Sequence, residues 1–104
     1  MPERLTWTGA AWEDYCYWQK QDIKTLKRIN LLIQDALRSP FEGIGKPEPL
    51  RENLSGFWSR RIDETNRLVY VVDASDLVVI ACRYHYGLSD SVSPSLALPR
   101  WVRE

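Results

Sequence analysis

The sequence of 104 residues has little cysteine, a single histidine and no excess of either charge. Its two cysteines, Cys16 and Cys82, lie far apart, and neither belongs to a CxxC pair or has a histidine at ligand spacing. The pattern therefore predicts neither a zinc site nor a disulfide framework. Both cysteines stand in apolar segments, which is typical of reduced thiols in a protein core.

Long hydrophobic runs are also missing from the chain. No apolar stretch approaches the length of a membrane-spanning helix, and the first residues, MPERLTW, lack the pattern of a signal peptide. We therefore expect a cytoplasmic protein.

The charges balance, with 14 lysines and arginines against 14 aspartates and glutamates. Proteins that bind nucleic acid through general electrostatic attraction need a basic surplus. The balance argues against that mode, so any site for a polyanion has to come from basic residues gathered at one place.

What the chain does contain is enough for one folded domain. Hydrophobic residues make up 44% of it and charged residues 27%, which is ordinary for a compact protein. Five tryptophans are many for this length, so large rings supply much of the buried area.

The apolar pattern predicts an α+β fold, with two helices packed on one face of an antiparallel sheet in the order β-α-α-β-β-β. Helices are expected over residues 12–21 and 23–38, with Asp22 as N-cap of the second and Ser39-Pro40 as its end. Strands are expected over residues 4–8, 57–63, 67–72 and 77–86. Residues 40–55 hold several prolines and glycines, which indicates a long loop of the kind that often carries function.

Alternation along the last predicted strand separates its side chains into two sets. One face should carry Leu77, Val79, Ala81, Arg83 and His85, and the other the five residues between and after them, Val78, Ile80, Cys82, Tyr84 and Tyr86. The change from aliphatic to polar residues after Cys82 indicates that the strand leaves the core there.

Antiparallel pairing gathers polar residues at one end of this sheet. The turn at residues 73–76 sets Arg67 opposite positions 83–85, and Arg61 comes from the neighbouring strand. We therefore expect Arg67, Arg83, His85 and Tyr86 to lie together, at a rim where a site can stand on a rigid scaffold.

A plainer interpretation of these residues is also open. A single histidine at the end of a strand is often a surface residue, and Arg60, Arg61 and Arg67 fit solvated strand charges paired with neighbouring carboxylates. Each signal is weak alone, and the functional interpretation depends on their convergence.

The cluster has the residue types needed to cleave RNA through its own 2′-hydroxyl group. That reaction needs a base for the hydroxyl proton, a cation for the charge on the phosphoryl oxygens and an acid for the leaving oxygen. Glu48, Arg67 and His85 suit these three roles. The sequence has no paired carboxylates at metal spacing, which favours a mechanism without a metal.

Other residues near the cluster suit contacts with the rest of an RNA strand. Three basic side chains are candidates for binding flanking phosphates, namely Lys46, Arg51 and Arg61. Tyr86 or Trp58 could stack on an unpaired base.

The same residues carry a resemblance to a known family. The segments WEDYCYWQ, SPFEGIGKPEPLRENLSGFWSRRI, NRLVYVV and ACRYHY closely resemble the YoeB/Txe toxins of the RelE superfamily, over about residues 4–86. The resemblance implies a bacterial toxin that cleaves mRNA in the ribosomal A site and is neutralised by a YefM-like antitoxin. It also implies a RelE-like fold of two helices against an antiparallel sheet, commonly as a homodimer, and no cofactor.

On matching positions, the resemblance makes Glu48 the general base, Arg67 the group that stabilises transition-state charge, His85 the general acid and Tyr86 a residue that positions or stacks on substrate. It places three further residues against RNA phosphates, namely Lys46, Arg51 and Arg61.

The chain departs from the family at its C-terminal end. Family members typically stop at the His-Tyr pair, whereas residues 87–104 follow it here, so we expect a toxin domain at 1–86 and an extension at 87–104. The alternative function is a non-catalytic module that binds RNA or antitoxin, with the extension blocking the site.

Overall fold

In the computed structural model, which describes residues 2–84, two helices lie against one face of a five-stranded sheet. The strands are β1 (Arg4–Trp7), β2 (Glu48–Pro49), β3 (Trp58–Arg61), β4 (Arg67–Asp73) and β5 (Asp76–Ala81), and the helices are α1 (Gly9–Gln21) and α2 (Ile23–Arg38). The strand order is β1-β5-β4-β3-β2, and a short 3-10 helix spans Glu52–Leu54. The predicted α+β class is confirmed. Neither helix is long and apolar enough to cross a membrane.

Side-chain caps set where the helices begin. The Thr8 hydroxyl accepts from the backbone N–H of Ala11 at 3.1 Å, so α1 starts three residues before the predicted position 12. Asp22, in an extended conformation, accepts from the N–H groups of Lys24 and Thr25 and is the predicted cap of α2. The two helices are therefore separated by the single residue Asp22.

The sheet is sandwiched between two apolar clusters. The helix-side cluster joins both helices to the sheet, and its members include Trp18, Ile29, Leu32, Leu68, Tyr70, Leu77, Val79 and Cys82. The far-face cluster lies on the opposite side, and its members are Leu54, Phe57, Val69, Val78, Ile80 and Ala81. Because Leu54 and Phe57 come from the segment after β2, that segment covers part of the sheet face that the helices leave open.

The sheet is mixed, and the expectation of an antiparallel sheet is wrong for β1. This strand pairs in parallel with β5, with Leu5 opposite Leu77, whereas the other strands pair antiparallel. The two strands stand at opposite ends of the described chain, and patterns within a segment cannot reveal such a pairing.

β2 is a second difference from the predicted order. Glu48 pairs with Ser59 and Pro49 with Trp58, so part of the predicted loop 40–55 is a short edge strand. Prolines are tolerated on edge strands, where one side of the strand needs no hydrogen bonds.

A bulge changes the predicted alternation of the last strand. Tyr70 lies opposite Val79 and Val69 opposite Ala81, which leaves Ile80 as the extra residue. As a result Ala81 joins Ile80 in the far-face cluster and Cys82 turns to the helix side, opposite to the predicted faces. β5 ends at Ala81 rather than continuing towards residue 86.

The two cysteines are both free thiols, as expected. Cys82 is buried, and burial raises the pKa of its thiol far above the ordinary value. Cys16 is only half-buried, so the expectation of a core thiol is confirmed fully for Cys82 alone.

Candidate active site

Three of the predicted site residues lie on one face of the sheet. Glu48 pairs with Ser59 on β3, and Arg61, two residues along the same strand, pairs with Arg67 on β4. Paired residues share a face, and Ser59 is opposite Val69 of the far-face cluster. Glu48, Arg61 and Arg67 therefore belong to the face away from the helices, within two strand positions of one another.

Arg67 is the most enclosed of these three side chains, with 9% of its surface exposed. Its Nη1 donates to the carbonyl oxygens of Asp63 at 2.7 Å and Asn66 at 3.1 Å. Within residues 2–84, no group accepts from its Nε or Nη2. Among the described residues, the cation is thus held through one nitrogen.

The charges around Arg67 oppose one another. Burial lowers the pKa of its guanidinium, and the neighbouring charge of Arg61 lowers it further. The carboxylates of Asp63 and Glu48 act in the opposite direction and raise this pKa. Arginine stays charged in proteins under all ordinary conditions, so the site combines a permanent cation with a nearby carboxylate.

Glu48 is exposed and stands between two prolines on β2. Pro47 and Pro49 restrict the backbone on both sides of it. The N–H of Leu50 donates to the carbonyl of Phe57 at 2.8 Å, which continues the pairing with β3. The carboxylate therefore extends from a constrained edge strand, although the sequence predicted a loop.

The basic residues predicted to bind phosphates occupy different places. The N–H of Arg61 donates to the carbonyl of Gly45 at 2.7 Å, which puts the exposed Lys46 beside β3. Lys46 has a φ of 51°, a left-handed conformation that few side chains adopt. Arg51 is exposed just before the 3-10 helix, and no hydrogen bond within residues 2–84 links its side chain to Arg61 or Arg67.

Arg28 was not predicted to be near the site. Its Nη2 donates to the carbonyl of Arg61 at 3.2 Å, so a basic side chain of α2 reaches the edge of β3. Only the register of α2 against the sheet brings it there, and no sequence signal marks that register.

The chain approaches Arg67 again at Tyr84. The backbone N–H of Arg67 donates to the carbonyl of Tyr84 at 3.0 Å, which confirms the predicted pairing of position 67 with 83–85. His85 and Tyr86, predicted as acid and positioning residue, lie outside the described residues, as does the extension at 87–104.

Arg83 and Trp58 turn away from this face. The Arg83 guanidinium carbon lies 3.5 Å from the centre of the Tyr17 ring on α1 and 4.6 Å from that of Tyr84, so it stacks between two rings. Trp58 packs against the helix-side cluster and against Phe41, at 4.9 Å between ring centres. Arg83 thus lies at the predicted end of the sheet, next to Tyr84, but its guanidinium turns to the helix side. A base-stacking role for Trp58 stays a prediction.

Arg60 is a buried residue that the sequence pattern suggested as a surface charge. Its side chain is fully enclosed, and its five N–H groups donate to five oxygens. The acceptors are Tyr70 Oη, Asp35 Oδ2 and the carbonyls of Ile44, Ser39 and Glu42, at 2.6–3.1 Å. Arg60 lies two residues from Ile62, a member of the helix-side cluster, and two from Trp58, which packs against that cluster. Because alternate residues of a strand share a face, this spacing was the sequence signal for its position. Arg60 therefore anchors the loop that leads to Lys46 and Glu48.

Among residues 2–84, no three histidine, cysteine, aspartate or glutamate side chains are grouped so as to hold a metal ion. The described residues of the site supply a carboxylate, a held guanidinium and exposed basic groups.

Comparison with known proteins gives consistent matches. The model of the YoeB-like toxin of bacterial type II toxin–antitoxin systems matches residues 7–86. The toxin YoeB of Escherichia coli (strain K12) is 59% identical over 83 residues, which cover 80% of this chain and 99% of that protein.

Solved structures agree in fold with this chain. A YoeB/ParE toxin from Agrobacterium tumefaciens is 49% identical with a TM-score of 0.79, covering 81% of this chain and all of that one. A YoeB from Staphylococcus aureus, solved as a dimer, is 45% identical with a TM-score of 0.76. The same species' YoeB in a heterotetrameric YoeB–YefM complex is 45% identical with a TM-score of 0.74; each covers 83% of this chain and all of the matched one.

Proposed function

The chain belongs to the YoeB-like toxin family of bacterial type II toxin–antitoxin systems, and we propose that it is an endoribonuclease that cleaves mRNA in the ribosomal A site and so inhibits translation. We assign the activity to residues 1–86, the predicted toxin domain. The match to the family model, which ends at residue 86, supports that boundary.

One observation carries the proposal, namely that Glu48 and Arg67 belong to the same sheet face on neighbouring parts of the sheet. The exposed carboxylate is accessible to a substrate, and the enclosed guanidinium lies where little water screens its charge. The carbonyl of Tyr84 is bonded to the backbone of Arg67, so the residue before His85 adjoins the same cation.

The proposed reaction is an internal displacement at phosphorus. Glu48 removes the proton of the 2′-hydroxyl, and the 2′-oxygen attacks the adjacent phosphorus. The bond from phosphorus to the 5′-oxygen breaks, and His85 gives that oxygen a proton. The products are a 2′,3′-cyclic phosphate and a 5′-hydroxyl, with no water consumed and no metal required.

Arg67 is proposed to stabilise the negative charge that develops on the non-bridging oxygens. The two carbonyls that hold Nη1 orient the guanidinium before substrate binds, so little reorganisation is needed in the transition state. Burial strengthens such an interaction because little water is left to screen it.

The remaining predicted residues have roles in binding. Lys46 and Arg61 are exposed beside each other and suit contacts with successive phosphates, and Arg51 suits a phosphate beyond β2. Tyr86 is proposed to position or stack on the substrate base.

The proposed partners follow from the relatives. The S. aureus YoeB was solved as a dimer and in a complex with YefM, and we propose a homodimer and a YefM-like antitoxin for this chain as well. The ribosome and its mRNA are the other partners that the mechanism requires.

Primer extension on mRNA in a translation extract tests the activity. The wild-type chain should produce stops at codons in the A site, and Glu48→Gln should cut on the order of 100-fold more slowly, as for loss of a general base. Glu52→Gln, an exposed glutamate of the same segment, is the matched control and should cut at the wild-type rate. Equal rates for Glu48→Gln and wild type would refute the role of Glu48. A wild-type chain that blocks translation without cutting message would refute the ribonuclease function.

A further inference from the structure

The turn between β3 and β4 is held together by two of its side chains. The Asp63 carboxylate accepts from the backbone N–H groups of Thr65 at 2.8 Å and Asn66 at 2.6 Å. It also accepts from Nδ2 of Asn66, at 3.2 and 3.1 Å to its two oxygens. Although burial acts to raise it, the pKa of Asp63 stays below its usual value because of these hydrogen bonds.

The other end of the Asn66 amide reaches the last described part of the chain. Its Oδ1 accepts from the backbone N–H of Tyr84 at 2.8 Å. Only this orientation of the amide satisfies both neighbours, because a carboxylate can only accept and a backbone N–H can only donate. Asn66 is therefore a bridge from the carboxylate of Asp63 to the backbone of Tyr84.

The same turn contacts Arg67 as well. The carbonyls of Asp63 and Asn66 hold Nη1 of Arg67, and the backbone N–H of Arg67 donates to the carbonyl of Tyr84. Both backbone polar groups of Tyr84 are thus bonded to two consecutive residues of the β3–β4 region. A substitution in the turn would therefore shift both the Arg67 guanidinium and the backbone of Tyr84.

Tyr84 has a strained backbone. Its φ is 70°, and a left-handed conformation costs a non-glycine residue about 1–2 kcal/mol. Its side chain is exposed, so core packing does not hold it there. Within residues 2–84, its backbone is held by the two hydrogen bonds to Asn66 and Arg67, and its ring is contacted by the Arg83 guanidinium.

The strand end before Tyr84 is secured separately. The N–H of Cys82 donates to Asp14 at 3.1 Å, and its carbonyl accepts from Trp18 Nε1 at 2.8 Å, both on α1. Loss of the Asn66 side chain would therefore release the N–H of Tyr84, while its carbonyl stays bonded to the backbone of Arg67 and β5 stays attached to the helices.

We propose that Asn66 is a positioning residue, which holds the backbone of Tyr84 in its left-handed conformation and so sets the direction in which the chain continues towards His85. The catalytic consequence rests on the proposed ribonuclease function. The conformational consequence does not, because it concerns only the chain that follows Tyr84.

The chain's single histidine makes the conformational effect measurable, since its imidazole NMR signals need no assignment. The experiment compares the full-length wild type with Asn66→Ala and with Asn30→Ala. Asn30 accepts from Tyr15 Oη at 2.8 Å between the two helices, so its variant controls for loss of one asparagine hydrogen bond elsewhere. The ring signals of His85 should change in Asn66→Ala and match the wild type in Asn30→Ala.

Cleavage kinetics on programmed ribosomes form the second readout. Asn66→Ala should lower kcat roughly tenfold or more, as expected for a misplaced catalytic group, with KM nearly unchanged. Asn30→Ala should keep the wild-type kcat. Asn66→Ser, whose side chain suits a turn but is too short to reach Tyr84, should repeat both effects and serves if the alanine variant fails to fold.

The two readouts separate the possible failures. Unchanged His85 signals in the Asn66 variants would overturn the positioning role, whether or not the wild type cuts RNA. A wild-type kcat in those variants, with an active wild type, would overturn its catalytic consequence. An inactive wild type would refute the ribonuclease function, and changed His85 signals would then still support the positioning of the chain.

Discussion

The guanidinium of Arg60 donates to the carboxylate of Asp35 at 2.6 Å, and this ion pair joins β3 to the last turns of α2. The same guanidinium bonds three carbonyls of residues 39–44, and Tyr70 Oη donates to a fourth, that of Pro40, at 2.6 Å. The loop before Lys46 and Glu48 is therefore attached to the core by buried polar contacts. Its geometry determines where β2 begins.

Removal of Arg60 should strongly destabilise the protein. Arg60→Leu removes the buried partner of the Asp35 carboxylate and leaves the carbonyls of Ser39, Glu42 and Ile44 without this donor, which should lower the free energy of unfolding by about 3–5 kcal/mol. Arg38→Leu is the matched control, because Arg38 contacts the same carboxylate at 2.9 Å but is 72% exposed, and its loss should cost no more than about 1 kcal/mol. Urea unfolding measures both, and similar losses would contradict the account.

Stability should also depend on pH through Asp35. Hydrogen bonds from Arg60 and then Arg38 lower the pKa of this carboxyl from 3.8 to about 2. A pKa that is lower in the folded state stabilises the protein above the unfolded value, and this contribution disappears as pH falls through the folded value. The difference in unfolding free energy between wild type and Asp35→Asn should be constant above about pH 5 and shrink as pH falls towards 2. A difference that is unchanged at pH 2 would contradict the shift.

Gly45 should tolerate substitution less well than Gly56, although both have positive φ, at 81° and 97°. A Cβ at Gly45 would lie 2.6 Å from Leu32 Cδ2, whereas one at Gly56 would meet nothing within 4 Å. Gly56→Ala thus measures backbone strain alone, and Gly45→Ala should cost about 1–3 kcal/mol more because of overpacking. Thermal or urea unfolding of both variants checks this, and equal losses would show that the loop yields to the added methyl group.

Arg67 and Arg61 should differ in the kinetic constant that each controls. Arg67→Lys removes the planar donor that we propose for the reacting phosphate, so kcat should fall on the order of 100-fold with a smaller change in KM. Arg61→Lys preserves an exposed charge and should alter KM by only a few fold. Initial cleavage rates over a range of programmed ribosome concentrations distinguish the two. A large loss of kcat in Arg61→Lys alone would mean that Arg61, and not Arg67, stabilises the charge in the transition state.

Local patterns predicted most of the elements and missed what depends on contacts distant in sequence. The Asp22 cap follows from a side chain directly before its helix. The pairing of Arg67 with the chain near Tyr84 follows from the short turn at residues 73–76, which joins β4 to β5. The parallel pairing of β1 with β5 joins opposite ends of the described chain and leaves no local signal. The bulge at Ile80 was likewise hidden, because apolar residues suit either face of a strand that is covered on both sides.

The sequence predicted the residue types of the site better than the buried contacts that hold them in place. The sequence suggested Glu48 as a base, Arg67 as a charge-stabilising cation and Arg61 as a phosphate contact, and the structure brings these three onto one face. Arg60 was undervalued because a charged residue is usually on the surface, and only its five acceptors make burial favourable. Asn66 was missed because a turn asparagine has an ordinary local role, and its bond to Tyr84 depends on the register of β4 and β5.

The central claim is that the 2′-hydroxyl of the message attacks its own phosphate, and one substitution in the RNA tests it most directly. The measurement is the rate of cleavage of ribosome-bound mRNA with a single 2′-deoxy nucleotide on the 5′ side of the cleaved phosphate. A message with the 2′-deoxy nucleotide one position further upstream is the control. We predict no cleavage at that phosphate in the first message. The control message should be cleaved at the rate of an unmodified message and give a 2′,3′-cyclic phosphate product. Cleavage of both messages at the same rate would contradict the claim.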